Sequence, residues 1–184
     1  MISGDGGTPR MLPVGEFDTL SPTWMPDGNS IVFNDTASGR LGAIKVMDTT
    51  TLKVTVIPDS KNLFATVTSP DGRYITGPSI DIQKLLLYDF SSRTWSELLK
   101  MNVGSTNWSK DSKYIYFDTG LSENPAFYRV RVADRKLERL ADLKGFRRMV
   151  FGWLPWSGIT RDGSPLLLRD ISSQEVYALD LETP

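Results

Sequence analysis

Hydrophobic residues along this chain come in short runs fenced by turn formers, and four of those runs follow one pattern. Trp24-Met25-Pro26-Asp27-Gly28-Asn29-Ser30-Ile31-Val32-Phe33 is its fullest version. It recurs as Thr68-Ser69-Pro70-Asp71-Gly72-Arg73-Tyr74-Ile75-Thr76, as Trp108-Ser109-Lys110-Asp111-Ser112-Lys113-Tyr114-Ile115-Tyr116-Phe117, and as Ile159-Thr160-Arg161-Asp162-Gly163-Ser164-Pro165-Leu166-Leu167-Leu168. The turn aspartates Asp27, Asp71, Asp111 and Asp162 stand 44, 40 and 51 residues apart. In each unit a short strand enters the turn. There Pro presets φ, Asp bonds its own backbone and Gly takes the left-handed position, and a β-branched, aromatic strand leaves. A third strand follows, ending near an Asp: Ala43 to Asp48, Lys84 to Asp89, Phe127 to Val132 and Glu175 to Asp180. A polar turn then leads to a fourth: Val54 to Ile57, Trp95 to Leu99 and Glu138 to Ala141.

Short strands at even spacing predict an all-β chain, and a period of about 45 selects a propeller over a sandwich or barrel. The expected architecture is a β-propeller with four blades of four-stranded antiparallel sheets, over approximate repeats 21–60, 63–100, 103–143 and 156–184. The last unit stops after its third strand, and residues 9–13 stand where a closing strand belongs. That leaves a small ring closed by its own termini or part of a larger ring, and the mid-blade start favours the larger ring. One segment reads two ways. Leu137, Leu140, Ala141 and Leu143 before Gly145 have helical spacing, but their register with Trp95 to Leu99 says strand, and the repeat outweighs a short window.

Composition narrows the chemistry. The 184 residues carry 21 Lys+Arg against 22 Asp+Glu, with no His and no Cys. No Ser-His-Asp or Cys-His pair, His/Cys zinc site or disulfide framework can be built. A net charge of −1 lacks the positive field of a nucleic-acid binder. No apolar run approaches the roughly 20 residues of a spanning helix. The first seven residues have neither the basic region nor the apolar core of a signal peptide.

The form Ser-Pro-x-Trp-x-Pro-Asp-Gly-x-x-Ile-x-Phe, met by Ser21 to Phe33, resembles the TolB-like, WD-repeat-like bacterial β-propeller family. Ser69-Pro70-Asp71-Gly72 matches with Thr68 in place of Trp, the third unit loses Pro and Gly, and the fourth loses Trp and Pro. The last unit also resembles the terminal blade of large bacterial proteins in which a propeller follows a kinase or winged-helix regulator domain. Neither of those domains has its motifs here. The resemblance implies a recognition module and a periplasmic or otherwise extracytoplasmic setting, and it does not fix function.

Two sets of residues are candidates for a site. Asp35, Asp118 and Asp170 each follow a second strand at nearly one repeat position, with Asp81 a little further on. Such loops flank a propeller's channel mouth. No cofactor is required by the sequence, but the set would suit a hard cation such as calcium, or a basic peptide end. The plain alternative is that Asp starts turns there, and no Asp-x-Asp-x-Asp-Gly loop supports calcium. Trp24 and Trp108, at equivalent first-strand positions, are expected in the blade-to-blade core. Trp153 and Trp156 lie with Arg147 and Arg148 in the long connection Gly145 to Gly158. Aromatics and Arg in an inserted loop suit a partner-binding surface, the alternative being a plug over the ring.

The expected function is therefore a non-enzymatic module holding a protein, peptide or small ligand on its loop face. The alternatives are a substrate-gating propeller of a serine peptidase and a metal-dependent sugar- or lactone-acting propeller. The remaining blades of a larger parent are a further expected partner.

Overall fold

The computed structural model describes residues 1–2, 4–12, 19–36, 41–64, 67–120, 122–151, 154–173 and 175. The described residues contain no helix. The first blade is a meander of β1 (Thr19–Trp24), β2 (Ser30–Asp35), β3 (Ile44–Asp48) and β4 (Val54–Val56). The second holds β5 (Tyr74–Pro78), β6 (Leu85–Asp89) and β7 (Thr94–Leu99), with a single bridge from Thr68 to Ile75 standing for its first strand. The third is complete: β8 (Thr106–Trp108), β9 (Tyr114–Asp118), β10 (Ala126–Arg131) and β11 (Leu137–Asp142). A small hairpin follows, β12 (Val150–Phe151) with β13 (Leu154–Pro155). The fourth blade contributes β14 (Ser157–Ile159) and β15 (Pro165–Leu167). Its expected third strand lies, apart from Glu175, outside the described residues.

The turn at the aspartate sets one register in the first three blades. Trp24 pairs with Ile31, Thr68 with Ile75 and Trp108 with Ile115, the same offset each time. Segment 137–142 is strand β11, paired from Val130↔Leu137 to Ala126↔Asp142. The repeat thus prevails over the helical spacing, because only a strand satisfies the open edge of β10. Residues 9–12 belong to no strand; Met1 and Arg10 instead exchange backbone hydrogen bonds with each other.

Strand alternation gives each blade two apolar faces, and the faces of successive blades meet as seams. Val32, Ile44, Ile57, Leu63, Ile75 and Tyr88 fill the first seam. Leu85, Leu87, Leu98, Val103, Trp108, Ile115, Phe117 and Val130 fill the second. The third is thin, with Tyr116, Phe127 and Leu143 against Ile159 and Leu167. Trp108 is core as expected, 8% exposed, with its Nε1–H donating to Val67 O at 3.2 Å and its ring stacked on Tyr74. Trp24 is not. It is 47% exposed, since no described blade lies on the side that Trp108 uses for packing.

Candidate functional site

Because each strand runs antiparallel to the last, the blades have two functionally distinct ends. The Asp-Gly turns and the turns between third and fourth strands share one end. The loops after the second strands and the connections between blades share the other.

At the first end the turn aspartates act on their own backbone. Oδ1 of Asp27, Asp71, Asp111 and Asp162 accepts the N–H two residues on, from Asn29, Arg73, Lys113 and Ser164, at 2.9, 3.0, 3.1 and 3.2 Å. Gly28, Gly72 and Gly163 take positive φ, and Ser112 holds the same conformation at φ 59. The Ser109 hydroxyl holds the Asp111 carboxyl below the usual carboxylate range, and the Thr160 hydroxyl does so for Asp162. At Asp71 burial works in the opposite direction, but the Ser69 hydroxyl, Arg73 N–H and Ser112 hydroxyl outweigh it. Asp89 is lowered by the Arg73 guanidinium, Glu138 by Arg129 and Asp48 by the Thr51 N–H.

Folded pKa values below the unfolded ones contribute stability above the unfolded value, lost as pH falls through the folded value. The melting temperature should therefore hold from neutral pH to about pH 5 and fall below about pH 4. With no His in the chain, a step in the melting curve near pH 6 would contradict this assignment.

At the other end the three candidate aspartates do not assemble. Asp35 Oδ2 lies 2.7 Å from Lys45 Nζ, Asp118 Oδ1 3.1 Å from Arg148 Nη1, and Asp170 Oδ2 2.9 Å from Arg147 Nε. Among the described residues no three acidic side chains gather at metal-holding distance. The expected calcium ring at Asp35, Asp118 and Asp170 is thus not formed by these side chains, because each faces a cation of its own. Asp81 belongs to a turn, accepting from the Ser79 hydroxyl and the Gln83 N–H. Asn34 and Asn107, which begin Asn-x-Ser/Thr sequences of the kind that accept N-glycans, have structural roles: Asn34 Nδ2 donates to Leu63 O and Asn107 Nδ2 to Ser157 O.

The Asp118–Arg148 pair is the organising feature of this end. Asp118 is fully buried and the Arg148 side chain is 8% exposed. Asp118 Oδ1 also accepts the Gly120 N–H at 2.6 Å, its Oδ2 accepts the Ser157 hydroxyl, and Arg148 Nη2 donates to Gly120 O. Gly104 closes over the carboxylate, where a Cβ would come within 2.6 Å of Oδ1. A charge taken out of water survives only with such complete pairing. The pair ties the connection after β11 to the end of β9, with the Ser105 hydroxyl donating to Pro155 O as a further tie.

Arg148, expected on a partner-binding surface, instead directs its guanidinium inward to Asp118 and Gly120. Arg147 stays half-exposed, braced by Asp170 and Ser172 O. Trp156 is 43% exposed, and its indole lies over Gly158, where a Cβ would meet Cη2 at 2.8 Å. Trp153 lies outside the described residues. Phe146, Met149 and Val150 of the same connection are also exposed. They were not among the expected partner-binding residues, although the connection is rich in large apolar side chains.

At the turn end, a cleft of about 860 Å³ opens between the third and fourth blades. Tyr114, Tyr116 and Arg129 line it from the third blade, Ile159 and Gly163 line it from the fourth, and the exposed Lys110 and Arg161 stand at its lips. Arg129 lies 4.8 Å above the Tyr114 ring and is held by Glu138 Oε2 at 2.8 and 2.6 Å.

No protein-family model matches the sequence, and no curated protein does. Solved structures do. The crystal structure of TolB from Acinetobacter baumannii is 22% identical with a TM-score of 0.69, covering 94% of this chain and 43% of that one. An oligogalacturonate lyase in complex with manganese is 13% identical (TM-score 0.56), covering 66% of this chain and 39% of the lyase. The acylaminoacyl peptidase of Pyrococcus horikoshii is 12% identical (TM-score 0.54), covering 66% of this chain and 24% of the peptidase. At such identities the likeness establishes the fold, a TolB-like β-propeller. The chain spans less than half the length of each of these structures.

Proposed function

We propose that this TolB-like β-propeller is a non-enzymatic interaction module that holds a protein or peptide partner on the end carrying the 145–158 connection. The observation that carries this reading is a group of exposed side chains on a rigid mount. Phe146, Met149, Val150 and Trp156 reach solvent beside Arg147, while the buried Asp118–Arg148 pair pins the backbone among them. Exposed apolar side chains on an anchored loop mark partner surfaces, and Trp and Arg are enriched where binding energy concentrates. Absence of His and Cys removes the common nucleophile–base pairs, which also supports a binding role.

Lyase and peptidase propellers share this fold, so the fold by itself favours neither binding nor catalysis. The sugar- or lactone-acting reading would need a metal site built from residues other than the Asp35, Asp118 and Asp170 set. The gating reading would need a hydrolase domain elsewhere.

Trp156→Ala is the direct test. The immobilised variant should lose the partner that the wild-type chain retains from a cell extract, with its thermal melt unchanged. A variant that melts early yet retains the partner would mean that Trp156 merely packs, and would remove this surface from consideration.

A further inference from the structure

We infer that the cleft between the third and fourth blades is a docking site for an acidic peptide segment, separate from the 145–158 surface and at the opposite end of the blades. The inference starts from the repeat. Pro26 and Pro70 precede the turn aspartates of the first two blades, whereas Lys110 and Arg161 hold that position in the last two. Both turns bordering this cleft have thus exchanged a rigid, neutral residue for a long cation. Neither Lys110 nor Arg161 makes an ion pair or hydrogen bond among the described residues.

The packing of the turns changes with the exchange. At the first junction Gly72 lies against the preceding turn, its Cβ position 3.7 Å from Pro26 Cδ. At the second, the Asp71 N–H donates to Ser112 Oγ at 3.0 Å. At the third junction no hydrogen bond joins the two turns among the described residues. Gly163 faces the Tyr116 hydroxyl instead, and the space between the turns is the cleft. Two successive blades that meet elsewhere through their turns here stand apart.

What would fill the gap follows from its chemistry. The acidic groups nearby are committed: Asp111 accepts from Ser109 and Lys113 and Asp162 from Thr160 and Ser164, while Glu138 holds Arg129. Lys110 and Arg161 make no such bonds among the described residues, and with Arg129 the lining carries three cations against the two carboxylates of Asp111 and Asp162, a positive balance that is complementary to negative charge. Its floor is aromatic, with Tyr114 and Tyr116, and Arg129 stacked on Tyr114. Lys110 and Arg161 stand on turns of different blades, which suits carboxylates spaced along an extended chain. An acidic segment with apolar or aromatic residues between its carboxylates meets both the charge and the floor.

The probe is a fluorescein-labelled peptide that alternates acidic and aromatic residues, followed by fluorescence anisotropy on the whole chain. Saturable binding that weakens with added salt is expected. The Lys110→Gln, Arg161→Gln double variant should bind about tenfold more weakly or worse, corresponding to the loss of about 1.4 kcal/mol. Both side chains are exposed, so its melt should match wild type. The charge-conserving Lys110→Arg, Arg161→Lys pair should retain binding, and Trp156→Ala should leave it unaltered even if partner capture at the other end is lost. No saturable binding, or equal binding by the glutamine variant, would overturn the assignment. So would displacement of the peptide by inorganic phosphate or a single-stranded oligonucleotide at matched charge, which would mean that the cleft reads charge alone.

Discussion

Replacing Asp118 with Asn is expected to remove about 3–5 kcal/mol of unfolding free energy, a large share of the roughly 5–15 kcal/mol of an ordinary domain. The reason is the partner left behind. Arg148 stays buried beside the site, and an amide cannot neutralise its guanidinium. The Ser157 hydroxyl and the Gly120 N–H would meet an uncharged group in their turn, weakening charge-assisted hydrogen bonds. Urea denaturation followed by tryptophan fluorescence measures the loss directly. The double variant Asp118→Asn, Arg148→Met should recover much of it, because removing both charges removes the uncompensated one. A single variant as stable as wild type would show that the pair is not structurally required. The rigid mount proposed for the Trp156 surface would then have no basis.

The second large effect compares two tryptophans that the repeat makes equivalent. Trp108→Ala is expected to cost about 3–5 kcal/mol, the usual price of emptying a buried aromatic site. Its indole fills the seam between the second and third blades, stacks on Tyr74 and donates to Val67 O. Trp24→Ala, at the same repeat position, should cost well under half of that, since about half of its surface is already exposed. Paired denaturation curves decide. Equal losses would mean that Trp24 is covered in solution and does there what Trp108 does inside.

The two tryptophans also mark the limit of what could be read from the chain. Strand positions, turn conformations and register were legible because they depend on interactions spanning a few residues. The carboxylate of Asp111 bonds the N–H of Lys113, and that bond exists whatever the remainder of the chain does. Even the doubtful segment 137–142 was decided by its register with the other units. The candidate site was legible only as a location. The 145–158 connection stood out by its length and its Trp and Arg content, and the structure keeps Trp156 and Arg147 exposed there. It withdraws Arg148, whose neighbour in sequence differs from it in nothing that a sequence displays. Arg147 reaches Asp170 at the surface, whereas Arg148 reaches inward to Asp118, thirty residues earlier in the chain.

Repeat equivalence was informative for backbone and misleading for side-chain roles. Asp35, Asp118 and Asp170 share a repeat position, yet the first meets Lys45 of β3 while the other two meet Arg148 and Arg147 of the connection after β11. The sequence by itself determined the all-β architecture, the unit length, the turn chemistry and the exclusion of His- and Cys-dependent catalysis. All of these follow from residue identity and near-neighbour geometry. Only the tertiary structure decided which carboxylates are neutralised, which tryptophan is core, and where two blades part to leave a cleft with exposed cations at its lips. Those outcomes depend on what packs against each repeat, and residues far apart in the chain supply that packing.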